Sequence, residues 1–140
     1  MNALICINGD DLGKKVVSVV KQMGLNTESV TNAREALKKL EYHIYHLVII
    51  DDAFDQNKGM GSIIDRMNTM DMSLRRRICI VWVSNKFNTN NNLASLNFSV
   101  NAILHHGDIP HLQPFLSRTL MEHKHFYTVY NESLKMAGKG

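Results

Sequence analysis

The run Leu47-Val48-Ile49-Ile50, stopped by Asp51-Asp52, decides how this chain folds. Four consecutive apolar residues are too few for a typical helix and apolar on both faces, which fits a strand covered on both sides. Ile78-Cys79-Ile80-Val81-Trp82-Val83 repeats the pattern with six. Residues 3–7 (Ala-Leu-Ile-Cys-Ile) and 100–104 (Val-Asn-Ala-Ile-Leu) supply two more strands, and residues 27–31, polar and partly β-branched, suit an edge strand.

Helical periods fill the intervals. Leu12, Val16, Val17, Val19, Val20 and Met23 mark a first helix that Gly24 closes. Thr31-Asn32 can cap a second, carrying Ala33, Ala36, Leu37 and Leu40. Met60, Ile63, Ile64 and Met67 mark a third, after Gly59. A polar, asparagine-rich loop over 85–92 precedes a weaker fourth through Leu93, Leu96 and Phe98, and the last helix begins near Pro110. Strand and helix thus alternate five times. The expectation is an α/β, three-layer α/β/α sandwich with a five-stranded parallel sheet of order 2-1-3-4-5 and a C-terminal helical extension. Cys6 and Cys79 then lie on strands two spacings apart, about 10 Å, and do not bridge.

Composition narrows the class further. The chain has 140 residues, 44% hydrophobic and 21% charged, which is one domain with a real core. A net charge of +3 is too small to argue for nucleic acid. No apolar run approaches the ~20 residues of a membrane span, and no basic segment precedes the first apolar run, so a cytoplasmic location is expected. Gly-rich phosphate loops and nucleophile elbows are absent, since Asn8-Gly9-Asp10-Asp11-Leu12-Gly13 matches neither. Ligands in such folds sit outside the carboxyl ends of the strands. The residues to read are therefore 8–11, Asp51-Asp52, Ser84-Asn85 and His105-His106-Gly107.

In those residues the chain resembles a response-regulator receiver domain, of the CheY-like, flavodoxin-like type, over about residues 3–122. Glu35-Ala36-Leu37 through Leu47-Val48-Ile49-Ile50-Asp51, followed by Gly59, resembles the family's second helix, third strand and the turn beyond it. The resemblance implies phosphoryl transfer to an aspartate at the end of strand 3, the position of Asp51. It implies a hydroxyl residue ending strand 4, matched by Ser84. It also implies an acidic pair ending strand 1 that helps hold Mg²⁺, and a lysine followed by proline ending strand 5. Here the acidic-pair positions carry Asn8 and Gly9, with Asp10 just after. The lysine position carries His106 and the proline position Gly107. The strand-5 aromatic is replaced by Ile103.

These departures have a physical size. Mg²⁺ takes hard oxygen ligands, mostly carboxylate and phosphate. Unit charges at 4 Å interact by ~4 kcal/mol at an effective dielectric of ~20, so losing two carboxylates beside a dication is a large change. At most a weak Mg²⁺ site of Asp10 and Asp51 is left, and no cofactor is expected. A histidine at 106 does not carry the permanent charge of a lysine. The expected function is that of a degenerate receiver, or pseudo-receiver. Such a domain is not an enzyme; it acts in two-component signal transduction or a phosphorelay by protein interaction, with aspartyl phosphorylation impaired or absent. The alternatives are a phosphorylatable single-domain response regulator using Asp51, and a small-ligand-binding or enzymatic domain on the same fold. The implied partner is a histidine kinase or another signalling protein.

Other signals are read as structural. Asp10 and Asp11 suit a helix start, and Arg75-Arg76-Arg77 a solvated basic turn. The histidine pairs His43/His46, His105/His106 and His123/His125 lack the context of a zinc site. Beyond Glu122 the chain continues over 123–140 as a separate helical extension, with Phe126, Val129, Tyr130, Ser133, Leu134 and Ala137 on one face. It either folds back on the body or continues the last helix, and in the second case a homodimer through this helix is expected.

Overall fold

The computed structural model describes residues 2–7, 10–51, 54, 77–84, 88–89, 91 and 100–136, the side chains of Asp10 and 125–136 excepted. The helices expected around Met60–Met67 and Leu93–Phe98 fall outside these residues, as do most of the 85–92 loop, Asn8 and Gly9. The elements are β1 (Asn2–Cys6), α1 (Asp10–Gln22), β2 (Asn26–Ser29), α2 (Ala33–Tyr42), β3 (Leu47–Asp51), β4 (Cys79–Ser84), β5 (Ala102–His105), a 3-10 turn (His106–His111) and α3 (Leu112–Met136). All strand pairs are parallel, in the order β2-β1-β3-β4-β5. The sheet is the one expected from the alternation of apolar runs and helical periods.

Every residue of β3 and β4 is buried, as the unbroken apolar runs require. Alternate residues feed two cores. Leu4, Cys6, Val48, Ile50, Ile80 and Trp82 pack with Ala33 and Ala36 of α2, while Ile5, Leu47, Ile49, Val81 and Val83 pack with Val16 and Val20 of α1 and with Leu112 and Leu116 of α3. The two cysteines, which form no disulfide, are therefore on opposite faces of the sheet. They are also offset along the strands, Cys6 facing Ile50 and Cys79 facing Leu47, so their backbones are roughly 14 Å apart rather than 10 Å.

Helix ends follow local chemistry. The Asn32 side chain accepts the Glu35 N–H at 2.8 Å, capping α2 at the residue the sequence offered for it. Gly24 sits at φ +87°, its N–H donating to Lys21 O, and the Leu25 N–H reaches Val20 O. These two bonds form a Schellman motif, with Leu25 and Val20 buried in one cluster beneath it.

Several boundaries differ from the sequence reading. β2 covers 26–29 rather than 27–31, since a polar edge strand has no buried face to mark its ends. β5 starts at Ala102, after Asn101 exchanges two bonds with Ile80, its backbone N–H donating to Ile80 O and its Oδ1 accepting the Ile80 N–H. Pro110 lies in the 3-10 turn, and the α-helix begins only at Leu112, with Pro114 in its first turn. α3 then runs unbroken through Glu122 for 25 residues, about 37 Å. No helix among the described residues is long and apolar enough to cross a membrane.

Two glycines, one inside α1 and one just past its end, are expected to respond oppositely to substitution. A Cβ at Gly13, inside the helix, meets nothing within 4 Å, so Gly13→Ala should stabilise by about 0.5–1 kcal/mol. Gly24→Ala should destabilise by about 1 kcal/mol, because its φ disfavours a side chain. Urea unfolding of both variants checks the pair of signs.

Candidate functional site

The strand ends converge on Asp51. It closes the central strand at 2% exposure, and Ser84 closes the neighbouring strand at 0%; among the described residues these are the buried polar side chains. In register, Asp51 lies opposite Val83, and Ser84 opposite His105. The chain turns sharply after β3, where the Phe54 N–H donates to Asp51 O at 3.3 Å and the fully buried Phe54 ring packs among Cys6 and Ile50. Cys6 ends β1 on the other side. Its thiol is pushed well above the ordinary range, first by burial and then by the negative charge of Asp51, so it stays protonated beside the carboxylate.

The β5 end is built differently from the lysine–proline ending that the resemblance implies. His105 ends the strand and His106 begins the 3-10 turn. His105 Nδ1 accepts the Gly107 N–H at 2.9 Å, which puts the proton of a neutral ring on Nε2. A Cβ at Gly107 would lie 3.1 Å from that Nδ1. Proline at 107 would remove the N–H and crowd the ring, so His105 and Gly107 form one local unit. His106 Nε2 is enclosed and has no hydrogen-bond partner among the described residues, an exception to the rule that buried polar atoms are paired.

Sequence reasoning passed over Thr89. Its Oγ1 accepts the His105 N–H at 3.0 Å and donates to the Asp108 carboxylate, tying the segment after β4 to both sides of the β5 end. The only hint in the sequence is a lone threonine among asparagines.

Asp51, Ser84 and His105-His106 are thus brought to the carboxyl end of the sheet. Asp10 is placed at the first residue of α1, and the positions of Asn8 and Gly9 lie outside the described residues. No group of three or more His, Cys, Asp or Glu able to hold a metal occurs among the described residues. Asn8 and Gly9 offer no carboxylate, so this donor set does not fit an ordinary Mg²⁺ cage. His43 and His46 make local contacts at the opposite ends of the strands. The Asn2 N–H donates to His46 Nδ1, and the His43 ring meets Tyr45 edge-on.

No protein-family model matches the sequence, and no curated protein is significantly similar to it. Solved structures are similar in fold. A CheY-like response regulator receiver domain protein from Methanospirillum hungatei superposes with a TM-score of 0.70 at 18% identity, over 88% of this chain and 95% of that one. A receiver domain from Methylobacillus flagellatus gives 0.65 at 19% identity, over 85% and 98%. A sensor protein from Polaromonas sp. gives 0.67 at 21% identity, over 87% and 97%. The chain has the response-regulator receiver fold, with Asp51 and Ser84 at the ends of its third and fourth strands.

Thr89 generates a testable expectation. Thr89→Val strands the His105 N–H and the Asp108 carboxylate and should cost about 1–3 kcal/mol, whereas Thr89→Ser should stay within about 0.5 kcal/mol of the parent. Denaturant unfolding distinguishes them.

Proposed function

We propose that the protein is a pseudo-receiver: a signalling domain that acts by binding other proteins and in which phosphorylation of the aspartate is impaired or absent. The observation that carries this reading is the mismatch around Asp51. The resemblance gives a phosphoacceptor role to the carboxylate ending β3 and a supporting role to the hydroxyl ending β4, and both groups are present at those strand ends, but the charges it implies around them differ. Asn8 and Gly9 stand at the metal-pair positions and His106 at the cationic one. A phosphoryl group adds about 1.5–2 negative charges, and in this proposal no dication or permanent ammonium answers them. At best Asp10 and Asp51 hold Mg²⁺ weakly. The partner is a histidine kinase or another signalling protein, met in the cytoplasm, and the domain is not an enzyme.

Persistence of both Asp51 and Ser84 favours one second reading, a phosphorylatable single-domain regulator. Intact mass after incubation with acetyl phosphate and Mg²⁺ separates the two. The wild type should gain little or no phosphoryl group, and Asp51→Asn none. Asn8→Asp with Gly9→Asp should restore partial labelling, and adding His106→Lys should raise it further, by more than the two changes separately, because all three groups act on one transition state. Labelling of wild type at Asp51 as complete as that of the triple variant makes the second reading correct.

The long α3 supports the interaction role. Leu112 and Leu116 anchor its first half, and Met121 is 71% exposed. The stripe from Phe126 to Ala137 follows in sequence. We propose that this extension mediates homodimerisation. Truncation after Glu122 should halve the sedimentation mass at micromolar concentration while leaving the parallel sheet folded. An unchanged mass rules out this use of the helix.

A further inference from the structure

We infer that the groove between α1 and the edge strand β2 is a docking site for an acidic amphipathic helix of a partner protein. The groove has a volume of about 520 Å³. Ile7 and Val17 give it an apolar floor, residues 29–31 form one wall, and α1 forms the other with Gly13, Lys14, Ser18 and Lys21.

Three features converge on that occupant. Lys14 and Lys21 are both exposed, and among the described residues neither makes an ion pair and no carboxylate lines the groove. The acidic residue of β2, Glu28, is already committed elsewhere, accepting from Lys39 and Tyr45, each at 2.8 Å. The two lysines are seven residues apart, two helical turns or about 10.5 Å along the axis. Glutamates one heptad apart on a facing helix reproduce that spacing, whereas a single small anion does not reach both. Finally, Gly13 and Ser18 keep this side of α1 low. A Cβ at Gly13 meets nothing within 4 Å, so the helix accepts a poor helix former where no atom of the described structure requires one. Close approach of a second helix accounts for it, in the manner of groove-bound amphipathic segments. The inference does not depend on the chemistry of Asp51.

The test uses the full chain and a synthetic helical peptide of about 14 residues, enough to cover both lysines with a turn to spare at each end. The peptide carries leucines on one face and glutamates one heptad apart. Calorimetry should show saturable binding, and amide shifts should map it to Gly13, Ser18 and residues 29–31. Lys14→Glu with Lys21→Glu should weaken it at least ~tenfold and favour a peptide with lysines in place of the glutamates. Gly13→Trp should fill the groove and block binding with an unchanged circular dichroism spectrum. Ser18→Trp, from an exposed position, serves if the first variant does not fold. The inference is overturned if the acidic peptide does not bind, if a glutamine version binds equally well, or if the shifts map elsewhere. It is also overturned if citrate or phosphate alone gives the same shifts at comparable affinity, which makes the groove a small-anion site. A failure here leaves the labelling result at Asp51 unaffected, so the two readings fall separately.

Discussion

A carboxylate at 2% exposure on the central strand of the sheet is the constraint around which the rest is arranged. Leaving an isolated charge in such a place costs several kcal/mol even after relaxation, so a chain that keeps one there supplies compensating groups or uses it. The all-buried strands β3 and β4 hold Asp51 in place through five pairs of register, and the Phe54 N–H bonds the Asp51 carbonyl just beyond the strand. The site is therefore rigid on the β3–β4 side.

The β5 end shows how one departure entrains another. With histidine at 105 and glycine at 107, the backbone N–H of Gly107 has a local acceptor, and the turn tightens into a 3-10 segment before α3. Thr89 braces the same segment from the other side through His105 and Asp108. A substitution at 105 or 107 meets a framework fitted to the present pair, since the Gly107 N–H bonds His105 Nδ1. The enclosed His106 Nε2 is the one point among the described residues at which that framework leaves a buried side-chain polar atom without a hydrogen-bond partner.

Much of the architecture was legible in the sequence because β3 and β4 are buried on both faces, so their apolar runs have no alternative reading. Helix α1 was legible from its 3.6-residue period, and its end from Gly24, whose φ of +87° is what a closing glycine provides. Less was legible where tertiary bonds set the boundary. Asn101 fixes the start of β5 through a side-chain bond that no periodicity encodes, and the 3-10 turn was hidden because proline is compatible with both 3-10 and α starts. Of the site, Asp51 and Ser84 could be located as strand ends, but Thr89 could not, because its role depends on two partners more than fifteen residues away. α1 also carries two programmes at once: its apolar face holds the sheet, and its lysine face lies along a groove.

In the pseudo-receiver reading, the fold has kept its acceptor carboxylate and lost the metal that would serve it. The most direct measurement is a Mg²⁺ titration of the full chain, followed by Trp82 fluorescence and by the amide shifts of Asp51 and Ser84. Trp82 is 3% exposed and two residues before Ser84, so it reports on the same strand end. The pseudo-receiver reading predicts no saturable transition below millimolar Mg²⁺ and only small, linear shifts above it. A saturable sub-millimolar transition centred on Asp51, lost in Asp51→Asn, contradicts it.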